Sequence, residues 1–179
     1  MILPAFRYHP DPLRSGSIVE SGADCRCCRQ GRGYIYTGPV YSEEDLEDAI
    51  CPWCIADGSA HRMFDASFVD TEAFSEGTPE SAMDEISLRT PGYCAWQGEQ
   101  WPTCCGDATA FVTPAGIEEI RKHYGELEGS LLSHIIYELR ISGGAATHML
   151  GSLNRDTGPT AYLFRCLRCE QYHFCVDQP

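Results

Sequence analysis

An α+β fold is what this sequence predicts: an amino-terminal lobe in treble-clef-like order (knuckle, β-hairpin, helix) and a carboxy-terminal lobe of mixed helices and strands. Three observations predict it. Two C-x-x-C pairs, Cys25/Cys28 and Cys51/Cys54, bracket an aromatic, β-branched run. Leu132, Ile135, Ile136 and Leu139 recur at helical spacing. Two strand-like runs, 161–166 and 171–176, flank a third C-x-x-C at Cys166 and Cys169. The expected boundaries are 1–69 for the first lobe, 70–90 for an acidic connecting stretch and 91–179 for the second lobe. The two lobes could also close into one compact domain.

Each element has its own local reason. Residues 1–22 form an extended lead-in, because Pro4, Pro10 and Pro12 forbid a regular helix; Phe6 and Tyr8 can pack onto the body. The run Tyr34–Tyr41, centred on Gly38-Pro39, reads as a hairpin. Ser42 followed by Glu43, Glu44 and Asp45 has the form of a capped helix start, with acids at the positive end of the dipole. Pro52 suits the first turn of the next helix. The stretch 70–90 is acidic and poor in periodicity, which predicts surface. Thr113-Pro114 reads as cap and first residue of a helix running to about Tyr124. A second helix spans about 129–141 and ends at Gly143-Gly144, and Asn154–Gly158 is a turn region. No internal repeat is expected.

Composition narrows the class. The apolar fraction of 43% and aromatic fraction of 11% are those of a globular chain. No run approaches the roughly 20 apolar residues that span a bilayer, and the amino terminus lacks the pattern of a secretory leader. A cytoplasmic location is therefore expected, with no membrane partner. The formal charge of −13 repels phosphate backbones, so direct nucleic-acid binding is not expected. The same field speeds encounter with a basic protein.

Eleven cysteines is a high and odd count for a chain with no leader, so close pairs read as metal ligands before disulfides. Zn²⁺ takes four tetrahedral soft ligands, and a C-x-x-C turn supplies two at a suitable separation. Cys25, Cys28, Cys51 and Cys54 are the expected site, with the last two at a helix start. Cys27 fits neither pair as well. Four protein ligands leave no position for water, which makes the site structural. The rival is redox, since Cys51-Pro52-Trp53-Cys54 looks like a dithiol motif, but an acidic run rather than a core strand precedes it. A deaminase would need a ligand-x-Glu pair upstream, and none exists.

A second zinc is possible at Cys166 and Cys169, completed by Cys104 and Cys105, with Cys94, His173 and Cys175 in reserve. Two adjacent cysteines on one metal are unusual, and buried free thiols are the bland alternative. The histidines are scattered without partners, and no Gly-rich phosphate loop is present. Only Trp96, Trp101, Cys104, Cys105 and Asp107 could hold an enzyme's site, and nothing there identifies a base. The residues point away from catalysis.

The strings Cys25-Arg26-Cys27-Cys28, 34–42 (YIYTGPVYS) and 51–60 (CPWCIADGSA) together resemble the CbrC family, named for an enterobacterial colicin-tolerance protein. The likeness continues through Arg89–Tyr93, Trp96-Gln97, Trp101-Pro102, Cys105-Gly106-Asp107 and 162–169 (YLFRCLRC). It implies cysteine pairs at Cys25, Cys28, Cys51, Cys54, Cys166 and Cys169. Cys104-Cys105 departs from the family's His-Cys pair, and Cys94 stands where a small polar residue is usual; both changes bear on the second site. The resemblance further implies a role in immunity to a bacterial toxin, with a basic nuclease-type toxin domain as partner. The acids of Glu43–Asp48 or Glu72–Glu85 are the expected contact face. The alternatives are a structural zinc adaptor with no toxin partner and an enzyme around Trp96, Cys104, Cys105 and Asp107.

Overall fold

The computed structural model describes residues 2–179. Asp11 caps a single turn, α1 (Pro12–Ser15), by accepting the Arg14 N–H at 3.2 Å. Strand β1 (Ile18–Glu20) then pairs antiparallel with β2 (Tyr34–Tyr36), and the loop joining them carries Cys25 and Cys28. The hairpin therefore encloses the knuckle, where the sequence had predicted it between the two cysteine pairs. Residues 34–41 do not pair with themselves because the Tyr36 hydroxyl donates to the Pro39 carbonyl at 2.9 Å, folding the run over its own ring. Gly38 makes that possible: a Cβ there would collide with the Tyr36 hydroxyl.

The helix expected from Ser42 does not form. Ser42 Oγ accepts the Glu44 N–H at 3.2 Å and donates to the Phe64 carbonyl at 2.9 Å, so side chain–backbone bonds displace the helical ones. Buried Leu46 and Ile50 hold the segment against the core, and Ile50 bridges to Tyr36. Cys51 is the N-cap and Pro52 the first residue of α2 (Pro52–Ala56), as the sequence predicts. Helix α3 (Ser59–Phe64) follows a left-handed Gly58 with φ 71°.

Within 70–90 a 3₁₀ turn (Thr71–Ala73) precedes α4 (Glu80–Arg89). Glu80 and Asp84 are exposed, while Ala82, Ile86 and Ser87 are buried, so the stretch contributes to the core. One apolar pair at i,i+4 was too thin a signal against so many charges.

Strands β3 (Thr103–Cys104) and β4 (Asp107–Ala108) form a hairpin closed by Cys105 and Gly106, both at positive φ (53° and 71°). Thr113 and Pro114 lie in β5 (Ala110–Ala115), not at a helix start. Pairing with β6 overrides the local cap signal, and proline is tolerated because β5 is an edge strand of the order β5-β6-β7. Helix α5 (Ile117–His123) begins after Gly116, whose N–H donates to Glu119 Oε2 at 2.9 Å. In α6 (Glu128–Leu139) the buried face is Leu131 and Ile135; Ile136 and Leu139 are 37% and 39% exposed, a shift from the expected stripe. Gly143-Gly144 opens α7 (Gly143–Ser152) instead of closing α6, because Ser142 Oγ caps it by accepting the Ala145 N–H at 3.3 Å. The last two strands, β6 (Thr160–Arg165) and β7 (Tyr172–Asp177), fall where the sequence puts them.

Three packed clusters result. The first surrounds Cys25, Cys51 and Cys54 with Ile18, Ile35, Ile50 and Ile55. The sheet separates the other two by strand alternation: Tyr162 and Phe164 face an aromatic cluster, Ala161 and Leu163 face α5–α7. At the aromatic centre Tyr93 stacks on Phe111 at 4.2 Å between centroids, with Trp101 fully buried beside Phe164. Phe6 and Tyr8 are buried as expected, and the amino-terminal segment crosses to the sheet: the Phe111 N–H donates to the Tyr8 carbonyl at 2.8 Å.

Candidate metal centres

The four thiols expected at the first site converge. Cys25 and Cys28 come from the β1–β2 loop, and Cys51 and Cys54 from the first turn of α2. All four sulfurs lie within 4.8 Å of one another. Cys25–Cys54 and Cys28–Cys51 are both 3.8 Å apart, too far for a disulfide. A tetrahedron with Zn–S bonds of about 2.3 Å has sulfurs about 3.8 Å apart, so the donor set fits that metal. The Cys51 thiol and the backbone N–H groups of Cys28 and Cys51 hold the Cys25 thiol down to about 4. The Cys51 N–H donates to Cys25 Sγ at 3.2 Å, and by bonding Cys25 the Cys51 thiol is itself pushed well up. Arg32 stacks over Trp53 at 5.5 Å. Cys27 stays outside the set, its sulfur 3.5 Å from Ser59 Oγ.

The second set also assembles, from Cys104, Cys105, Cys166 and Cys169, again within 4.8 Å. Cys104 lies 3.8 Å from Cys105 and 3.7 Å from Cys169. The adjacent pair works because Cys105 sits in the left-handed region at the tip of the β3–β4 turn, while Cys104 ends β3. Backbone N–H groups of Cys169 and Arg168 hold the Cys166 thiol down to about 6. The reserve residues stay out: Cys94 approaches the Thr37 carbonyl, Cys175 the Gln100 carbonyl, and the buried His173 Nε2 has no partner. Exposure distinguishes the sites, with Cys25, Cys51 and Cys54 buried in the first and Cys105 and Cys169 exposed in the second.

The two knuckles are the same structure. In one, the Cys25 N–H donates to the Gln30 carbonyl (3.1 Å) and Arg29 N–H to the Cys25 carbonyl (2.7 Å). In the other, the Cys166 N–H donates to the Gln171 carbonyl (2.8 Å) and Glu170 N–H to the Cys166 carbonyl (3.1 Å). The residue after each second cysteine has positive φ, 56° at Arg29 and 62° at Glu170. Both knuckles join antiparallel strands, β1–β2 and β6–β7. CRCCRQ and CLRCEQ accordingly share C-x-x-C-x-Q in the sequence itself.

The residues considered for catalysis have structural partners. Asp107 accepts from Arg7 (2.6 Å), Tyr8 (2.9 Å) and the Ala108 N–H (2.9 Å). Trp101 Nε1 donates to the Thr109 carbonyl (2.7 Å) and Trp96 Nε1 to Thr160 Oγ1 (2.9 Å). Cys104 and Cys105 belong to the second thiol cluster. Among the described residues, no helix is long and apolar enough to cross a membrane.

A family model described as "Uncharacterised protein family (UPF0167)" matches residues 3–178. UPF0167 proteins of Mycobacterium bovis and Mycobacterium tuberculosis are each 46% identical over 168 residues, 93% of this chain and 89% of theirs. One from Pseudomonas aeruginosa is 42% identical over 177 residues, 98% of this chain and 97% of its own. The chain belongs to the UPF0167 family. No solved structure matches it.

Proposed function

We propose that this member of the UPF0167 family is a binding protein: an acidic domain, stapled by two structural zinc ions, that captures a basic bacterial toxin domain of the nuclease type and neutralises it. The observation that carries the stapling is the pair of closed four-thiol sets, which leave no coordination position for substrate or water. Zinc, when bound, supplies cross-links and charge neutralisation there, holding the β1–β2 loop to α2 and the β3–β4 hairpin to the β6–β7 turn. A surface fixed in this way loses less entropy on binding. With the second pair in the first turn of a helix, the first site reads as treble-clef-like. A reducing cytoplasm would keep such thiols available as ligands.

The capture reading rests on the charge of −13 and on the likeness to the CbrC family, with its association with colicin tolerance. The test has two parts. Protein purified without added zinc is expected to carry two equivalents by elemental analysis, and calorimetry with a purified nuclease-colicin domain should give saturable binding that weakens with salt. Two zinc ions without toxin binding or protection of cells would favour the adaptor reading. No zinc, with Cys51 and Cys54 oxidised, would overturn the stapled module.

A further inference from the structure

Between the 37–47 segment and the 93–99 loop lies a cleft of about 490 Å³, apart from both thiol clusters. Glu99 lines it and is only 7% exposed. One carboxylate oxygen, Oε2, accepts the Tyr41 hydroxyl at 2.7 Å; the other, Oε1, is buried with no partner. Burial raises the pKa of Glu99 above the usual carboxylate range, the Tyr41 hydroxyl and the backbone N–H groups of Glu99 and Asp70 oppose that, and no cation compensates it. The charges around it are of its own sign: Asp70 beside it, and Asp45 and Glu47 on the rim. Glu44 is paired with Arg26 at 2.7 Å, whereas Asp45 and Glu47 have no ion-pair partner among the described residues. Tyr41, 39% exposed, and the buried Tyr93 also line the cleft.

A buried acidic floor short of a cation, an anionic rim and aromatic walls are the complement of a positively charged organic group. We infer that this cleft binds an alkylammonium or guanidinium group, held by the Glu99 carboxylate. The Tyr41 hydroxyl occupies the carboxylate in the free molecule, and the ligand's N–H groups take its place when Tyr41 swings aside. The source of the group is either a free amine or a lysine or arginine side chain presented by a protein. The inference goes beyond toxin capture and stands if no toxin is the partner.

Amide-resolved titrations with agmatine and with the peptide acetyl-Gly-Arg-Gly-amide test it, using the neutral 1,4-butanediol as control. Saturable shifts at Tyr41, Gly98 and Glu99 are expected with one or both cations and none with the diol. Tighter agmatine binding assigns a free amine, and tighter peptide binding a protein side chain. Glu99→Gln should weaken binding at least roughly tenfold, the worth of a charge-assisted bond, while melting like the wild type. Should that variant fail to fold, Tyr41→Phe decides, because it removes the competing donor and should tighten binding. No saturable response, undiminished binding by a folded Glu99→Gln, or unchanged or weaker binding by Tyr41→Phe would overturn the assignment. None of these readings uses a toxin, so its failure is separate from that of the capture reading.

Discussion

Serine at position 25 removes one ligand of the buried site, and the structure sets how much should follow. Cys25 is 1% exposed and packs in the first core cluster with Ile35, Tyr36 and Ile55. Its sulfur also accepts the Cys51 N–H, so the change strips a bond from the α2 cap as well as a thiol from the four-cysteine set. Structural zinc contributes about 10–16 kcal/mol to folding, and losing a ligand forfeits much of it. The whole molecule is expected to have only about 5–15 kcal/mol of stability. Cys25→Ser should therefore unfold the region 18–68 around the site. Cys169→Ser, by contrast, touches an exposed ligand at a hairpin tip and should leave the fold intact with one zinc lost. Near-ultraviolet circular dichroism, thermal melting and zinc content per chain read both variants. A Cys25→Ser protein melting within about 4 °C of the wild type, a shift worth under 1–2 kcal/mol at this size, would refute the reasoning.

Further outcomes are expected. His9 is fully buried, with Nδ1 2.7 Å from the Pro91 carbonyl and Nε2 2.7 Å from Ser15 Oγ, and burial lowers its pKa from 6.5 to about 4. The unfolded chain takes up that proton first, so this stability is present above pH 6.5 and lost as pH falls towards 4. About 3 kcal/mol is at stake, and urea midpoints across that range should show it, with a flatter limb in His9→Gln. Asp107→Ala leaves the buried Tyr8 hydroxyl without its 2.9 Å acceptor and frees Arg7; it should cost about 2–3 kcal/mol in urea unfolding without changing zinc content. Cys27→Ser should keep full zinc stoichiometry, since Cys27 lies outside the ligand set; loss of an equivalent would show that the set is misassigned.

Elements whose signal is local were legible. Pro52 at the start of α2 and the two strands around Cys166–Cys169 needed only short-range chemistry. Elements decided by distant partners were not. Thr113-Pro114 carries a sound cap signal, yet β6 claims it as strand. Ser42 carries another, yet its hydroxyl bonds Phe64 and its neighbours Leu46 and Ile50 are drawn into the core. Gly143-Gly144 showed how glycine after a helix can be read as a stop when the next helix begins there. The shared C-x-x-C-x-Q string is legible, but its glutamines act through their carbonyls, to which side-chain chemistry gives no clue.

By itself the sequence determined the three C-x-x-C pairs and the acidic charge, since turn spacing and charge belong to residues and their immediate neighbours. Only the tertiary structure decided that the adjacent pair Cys104 and Cys105 completes the second set while Cys94, His173 and Cys175 stay out. Cys104 and Cys105 reach Cys169 and Cys166 because β5 and β6 run antiparallel, bringing the β3–β4 hairpin to the end of the sheet where the second knuckle turns. It also decided that Glu99 would be a buried carboxylate facing a cleft, because Tyr41 arrives from more than fifty residues away along the chain. Such pairings follow from long-range packing, which no local pattern encodes.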